Sequence, residues 1–466
     1  MRGRVSSKLK TTASILLSLC GACGKDADRK TTIPLRDAGV DMDAHGDVDA
    51  RVDGGELPDG SSQSGDGSVP ADGAVSPGDD DGGPGEPFNP REDCQVVAER
   101  GELALPVSFR DATGFSIEPG LTGFGVAYQS DNCGAIGVLP VASIGEYPEP
   151  NVLYENCDTV AQGVSLLHVN GGYRLAWIDN SSGSAELQSL QLTEALARPA
   201  SDVRSPITHN QTRELAPVQA SFNDTSYLSW INQDDKKREI MLQAAGSASE
   251  VQVLVAADAG FSPQSLAFAQ LGENAGALAF VSEQEKPGIW LVPLTDAGEP
   301  RQAPIEISTA VSSGNSVDVA TRAEDGGALI YSVDIGDRHE VRFRRVNAEG
   351  GFTSDEVKVV SFPMQGRDAS ISRLGGGYAV AFRSISETDP SRGEVRLMFV
   401  TKEGNLMRDS AGRVASTLIA EASATGGRVT TRVSRDGQLL IGFLDVDPNN
   451  GQRKLRLFRK RLDCAI

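Results

Sequence analysis

Positive charge is what this chain has little of. Its 466 residues include 44 Lys and Arg against 64 Asp and Glu, a formal net charge of -20 and a sequence pI near 4.7. A nucleic-acid partner calls for a basic surface, so that class is excluded. Histidines number four and cysteines six. None falls into a zinc-type CxxC…CxxC or Cys/His cluster, and Cys20-Gly-Ala-Cys23 is a lone pair. No Gly-x-Ser-x-Gly elbow, HExxH, P-loop or GxGxxG occurs. No helical hydrophobic period runs for any length, and no apolar run is long enough to cross a bilayer as a helix.

The first residues form a distinct unit. Arg2, Arg4, Lys8 and Lys10 precede a short apolar run from Ala13 to Leu19, the layout of a secretory signal. The run ends at Gly21-Ala22-Cys23. This resembles a bacterial lipoprotein signal, whose cleavage leaves a lipidated cysteine as the new first residue. The resemblance implies a signal peptide over 1–22, lipidation at Cys23, and a membrane partner reached through the anchor. Cys20 stands where that pattern usually has Leu. Gly24 does not resemble an inner-membrane retention signal, so the outer membrane is the expected location. Disulfides are permitted outside the cytoplasm.

From 23 to 92 the chain is Asp, Gly, Ala, Pro and Ser with almost no large apolar residue. Such a stretch cannot bury enough apolar surface to offset its ordering entropy, so a disordered, self-repelling tether is expected. "DMDAHG" at Asp41 begins like an EF-hand loop, but the bidentate Glu at position twelve is replaced by Val52. A solvated spacer is the better reading. Spacers of this kind after a lipidated cysteine resemble those of myxobacterial lipoproteins.

Residues 93–466 repeat one pattern. A short apolar run ends in an aromatic seven times, at Tyr128, Trp177, Trp230, Phe280, Tyr331, Phe382 and Phe443, every 49–61 residues. Each run lies between an earlier apolar strand, such as "VSLLHV" or "ASISRL", and a later hairpin, third strand and fourth strand. Four antiparallel strands per unit, seven times over, predict an all-β fold: a seven-bladed β-propeller of four-stranded blades. No family signature accompanies the repeats. Neither a Gly-His…Trp-Asp pair nor the Ser-x-Asp-x-Gly-x-Thr-Trp box of sialidases is present.

The seventh unit stops after its third strand, while a surplus strand, "ELALPVSF", precedes the first. Placing that strand in the last blade closes the ring. Cys94 then lies just before the closing strand and Cys464 just after its neighbour, so a disulfide between them would replace the missing turn. Cys133, in the second-to-third-strand hairpin of blade one, and Cys157, at the exit of its fourth strand, form the other expected pair.

Catalytic chemistry is scarcely visible. His168, His209 and His339 fall at unlike positions in different blades. One acid does recur on the second-to-third-strand hairpins: Asp131, Asp179, Asp234, Glu283, Asp334, Glu387 and Asp445. These are either ordinary turn residues or a rim for a cation or polyhydroxylated ligand. No cofactor is expected, and calcium is the ion such a rim would suit. The expectation is a lipid-anchored, monomeric, extracytoplasmic binding or scaffold protein for a glycan or protein ligand. The alternative is a polysaccharide hydrolase or lyase, marked by a central pocket with converging carboxylates and an Arg or His.

Overall fold

The computed structural model describes residues 95–463 apart from 104, 106–111, 131–134, 143–150, 155–162, 181–184, 201–204, 209–211, 246–249, 273, 311–315, 323–325, 337, 361–364, 387–388, 409–410 and 436. Strand β1 (Gln95–Glu102) comes first. Blade one follows as β2 (Ala112–Gly120), β3 (Gly123–Ser130), β4 (Ile136–Ala142) and β5 (Asn151–Tyr154). Blade two is β6 (Val164–Val169), β7 (Gly172–Asp179), β8 (Glu186–Leu192) and β9 (Ser205–Pro206). Blade three is β10 (Arg213–Phe222), β11 (Thr225–Asp234), β12 (Lys237–Ala244) and β13 (Gln252–Val255). Blade four is β14 (Pro263–Gln270), β15 (Gly276–Ser282), β16 (Gly288–Leu294) and β17 (Ile305–Ser308). Blade five is β18 (Val317–Arg322), β19 (Gly326–Ile335), β20 (Arg338–Val346) and β21 (Val357–Val360). Blade six is β22 (Gln365–Leu374), β23 (Gly377–Ile385), β24 (Arg392–Thr401) and β25 (Ser416–Ser423). The last three strands are β26 (Val429–Val433), β27 (Gln438–Val446) and β28 (Arg453–Asp463).

Each of the first six sets forms its own antiparallel sheet in chain order, and the seventh takes β1 as its fourth strand, in the order β1-β28-β27-β26. The first strands of consecutive blades pack side by side, and β2 meets β26, so the ring is closed. This is a seven-bladed β-propeller. No helix among the described residues is long and apolar enough to cross a membrane.

The closing strand sits one step earlier than the sequence suggested. Gln95 pairs with Asp463 and Glu102 with Phe458, so the ladder is made by "QVVAERGE" and not by "ELALPVSF". Two leucines of the expected strand go inward instead. Leu103 is buried and Leu105 packs beside it against Phe115, Tyr128 and Leu457. An outer edge is the better place for the polar segment, since it stays solvated.

The periodic aromatics explain themselves in the packing. Seven apolar clusters occupy the seven blade interfaces, and each contains one of the seven aromatics. Trp177 of blade two faces blade one, Trp230 faces blade two, and Tyr128 faces the closing blade. All seven are at most 2% exposed. A blade is an open sheet with two apolar faces, and one large ring per interface fills the wedge between neighbours.

The first strands are inner edges whose outward N–H groups have no fifth strand to pair with. Side chains of the preceding blade take their place. Leu166 N donates to Ser116 Oγ at 3.1 Å and Ile371 N to Asp318 Oδ2 at 3.1 Å. Thr431 N donates to Ser370 Oγ at 3.0 Å and Val433 N to Ser372 Oγ at 3.1 Å. Each of these bonds joins blade n to blade n+1, which satisfies a buried donor and fixes the blades' register about the axis.

Candidate functional site: the central channel

The seven first strands surround the axis, and residues from each of them line a central channel. At the C-terminal ends of these strands the channel widens into a funnel of about 630 Å³. It opens beside the first-to-second-strand turns. Its wall carries Glu118, His168, Gln219, Ser372 and Arg432, with Arg373 and Arg435 towards the turns. Below it a narrower cavity of about 80 Å³ is lined by Ser116, Asp318, Arg428 and Thr430, and Glu118 and Arg432 line both.

Two carboxylates and two guanidinium groups therefore meet in one channel, and their surroundings differ. Asp318 is fully engaged. Its Oδ2 accepts from Ser370 Oγ at 2.6 Å, Ile371 N at 3.1 Å and Arg432 Nη1 at 3.2 Å, and its Oδ1 accepts from Val319 N at 3.0 Å. Arg432 Nη1 also donates to the Thr431 carbonyl at 2.8 Å. These two charges cancel. Among the described residues, Glu118 accepts only a long bond from His168 N, at 3.4 Å. Burial pushes its pKa up to about 7, against the opposing pull of Arg432 and the His168 N–H. Arg428 makes no side-chain hydrogen bond among the described residues. Crowding by protein holds its pKa below the usual arginine value, Asp318 opposes that and Arg432 adds to it. Its side chain is exposed and is among those lining the lower cavity. The imidazole of His168 faces Glu194, with Nε2 2.9 Å from Oε1, and packs edge-on against Tyr173.

The described hairpin acids lie on the opposite face of the propeller and do not converge on a shared site. Asp445 is 6% exposed and accepts from Ser423 N at 2.8 Å and Arg456 Nη1 at 3.0 Å. Asp334 is hydrogen-bonded to His339 Nδ1. Asp179 is buried, Glu283 half-buried, and Asp234 exposed in a two-residue turn opposite Lys237. Asp131 and Glu387 lie outside the described residues, as do Cys23, Cys94, Cys133, Cys157, Cys464 and His209. Among the described residues no three His, Cys, Asp or Glu side chains come together as a metal site. Sequence reasoning singled out none of Glu118, Asp318, Arg428 and Arg432. The signal that could have found them is the run of polar residues at alternate positions of strands otherwise read as apolar: Ser116 and Glu118, then Ser370 and Ser372, then Thr430 and Arg432.

No protein-family model and no curated protein matches the chain. Solved structures do resemble it. A protein of unknown function from Dyadobacter fermentans aligns over 78% of this chain and 99% of its own, at 12% identity and a TM-score of 0.43. The endosialidase of phage phi92 aligns over 78% of this chain and 68% of its own, at 10% identity and a TM-score of 0.45. A polysaccharide lyase of family PL25, an ulvan lyase, aligns over 79% and 96%, at 7% identity and a TM-score of 0.43. At these identities and scores the likenesses carry no argument about what this chain binds or does.

Proposed function

We propose that the chain is a lipid-anchored, extracytoplasmic β-propeller that binds a glycan in the mouth of its central channel. The observation that carries this is the funnel itself. Its volume lies within the roughly 300–1,000 Å³ of small-ligand sites, and its wall offers donors and acceptors from six blades around a few apolar side chains. In this reading Cys23 carries the anchor after removal of residues 1–22, and the tether over 23–92 holds a monomeric propeller away from an outer membrane. Cys94–Cys464 and Cys133–Cys157 are bridged.

Two experiments test it. A glycan array probed with the full chain should show saturable binding, lost in Ala269→Trp, which fills the funnel from β14 while thermal unfolding reports the fold. Equal binding by that variant would move the site elsewhere. Cys23→Ser should release the protein from the membrane fraction or block its processing. Unchanged fractionation with normal processing would refute the anchor.

A polysaccharide hydrolase or lyase is the second reading, and Glu118 is the observation that favours it, since a carboxyl titrating near 7 suits acid–base work. Glycoside hydrolysis calls for a second free carboxyl, and both oxygens of Asp318 are engaged. Binding is the reading the geometry supports better. New reducing ends or unsaturated products after incubation with polysaccharides would reverse that order.

A further inference from the structure

We infer that the ligand of this channel is an acidic saccharide, whose carboxylate or sulfate group seats against the guanidinium of Arg428; this rests on the funnel being the binding site. Four charged groups line the deep cavity, and they do not pair off. Asp318 and Arg432 are joined at 3.2 Å. The two left over are Arg428 and Glu118. Arg428 has no hydrogen-bond partner among the described residues, yet it lines the deep cavity directly beneath the funnel.

An unpaired guanidinium lining the cavity is a partner for an anion entering the lumen, since a charge-assisted hydrogen bond then forms. Arg432 adds to the attraction. Its bonds to protein run through Nη1, so Nε and Nη2 remain for a ligand. Higher in the funnel, Arg373 and Arg435 are exposed on the wall. Glu118 alone opposes this among the described acids lining the two cavities, Asp318 being spent on Arg432, and burial keeps Glu118 partly protonated at neutral pH. The chain as a whole carries a net charge of -20, which repels an anion, so the lumen's guanidinium groups supply the local attraction. Hydroxyls of the same sugar would meet Gln219, Ser372 and Ser221 on the wall above.

The test is calorimetric titration of the full chain with an oligogalacturonide, a sulfated oligosaccharide and a neutral oligoglucoside of equal length. The expected result is at least tenfold tighter binding of one or both acidic sugars than of the neutral one. Arg428→Gln should abolish that preference, and Arg428→Lys should keep part of it, with thermal unfolding unchanged in both. Equal binding of acidic and neutral sugars, or an Arg428→Gln variant that keeps the preference, overturns the inference and leaves the funnel as a neutral-glycan site. Failure of every sugar to bind the unaltered protein overturns both. Should Arg428→Gln fail to fold, loss of the preference at high salt alongside retained neutral binding decides the matter, and its persistence overturns the inference.

Discussion

Glu118 ties the chemistry of the channel to pH. Its carboxyl titrates near 7 in the folded chain and near 4.5 when unfolded, so folding favours its protonated form. The stability it contributes is complete below pH 4.5 and is lost as pH rises through 7. Glu118→Gln should remove that slope. At pH 8 the variant should be the more stable protein, by on the order of 3 kcal/mol at most, since each pKa unit corresponds to about 1.4 kcal/mol. Urea midpoints of both proteins at pH 5 and pH 8 check this, and parallel profiles would contradict it. Ligand binding should follow the same group. The charges facing Glu118 are Arg432 from β26, Arg428 just before it and Asp318 from β18, with His168 from β6 and Tyr173 from β7 beside it. Glu118 gains its negative charge as pH rises through about 7, so an acidic ligand should bind more weakly at pH 8 than at pH 6. Glu118 left no trace in the sequence as a site. One acid in the strand "ATGFSIEPG" has no partner spacing to mark it, because its partners come from other blades.

At the scale of the strand, the legible features were those that repeat within one blade. The seven aromatics recur because each interface needs one, and glycine opens several second strands because a side chain there has no room. At Gly172, φ is +146° and a Cβ would lie 2.0 Å from the Leu192 carbonyl oxygen; at Gly326, φ is +95° and the Val346 oxygen would be 2.2 Å away. Gly172→Ala should therefore cost on the order of 2 kcal/mol, read as a lower urea midpoint with unchanged slope. What was not legible is how the first strands bend and tie together. Ala216 and Asp368 take positive φ at bulges in β10 and β22, a conformation their residue types do not announce. Ser370 links three blades, donating to Asp318 and accepting from Thr431 N. Ser370→Ala should cost roughly 1–3 kcal/mol by stranding a buried amide, lowering the melting temperature by a few degrees. No change would show the inter-blade bonds to be idle.

At the scale of the molecule, the ring is closed by a strand far away in sequence. Arg456 holds it with Nε and Nη2 on Glu102, at 2.7 and 2.8 Å, while Nη1 reaches Asp445. The β1–β28 ladder ends with Gln95 opposite Asp463, one residue short of Cys94 and Cys464. Arg456→Ala should lower the melting temperature, and more so when Cys464 is also replaced by Ala. Peptide mapping that joins Cys94 to Cys133 or Cys157 would refute the closing bridge. The closure was legible because a unit lacking its last strand implies a donor at the other terminus. The channel was not, since it exists only once all seven first strands meet. Which face binds is the question on which the account turns, and hydrogen exchange with and without a glycan captured from the array answers it most directly. Slowed exchange is expected in the peptides spanning Val164–Val169, Gln365–Leu374 and Val429–Val433, around the funnel. Slowed exchange confined to the hairpins that carry Asp234 and Asp334 would contradict it.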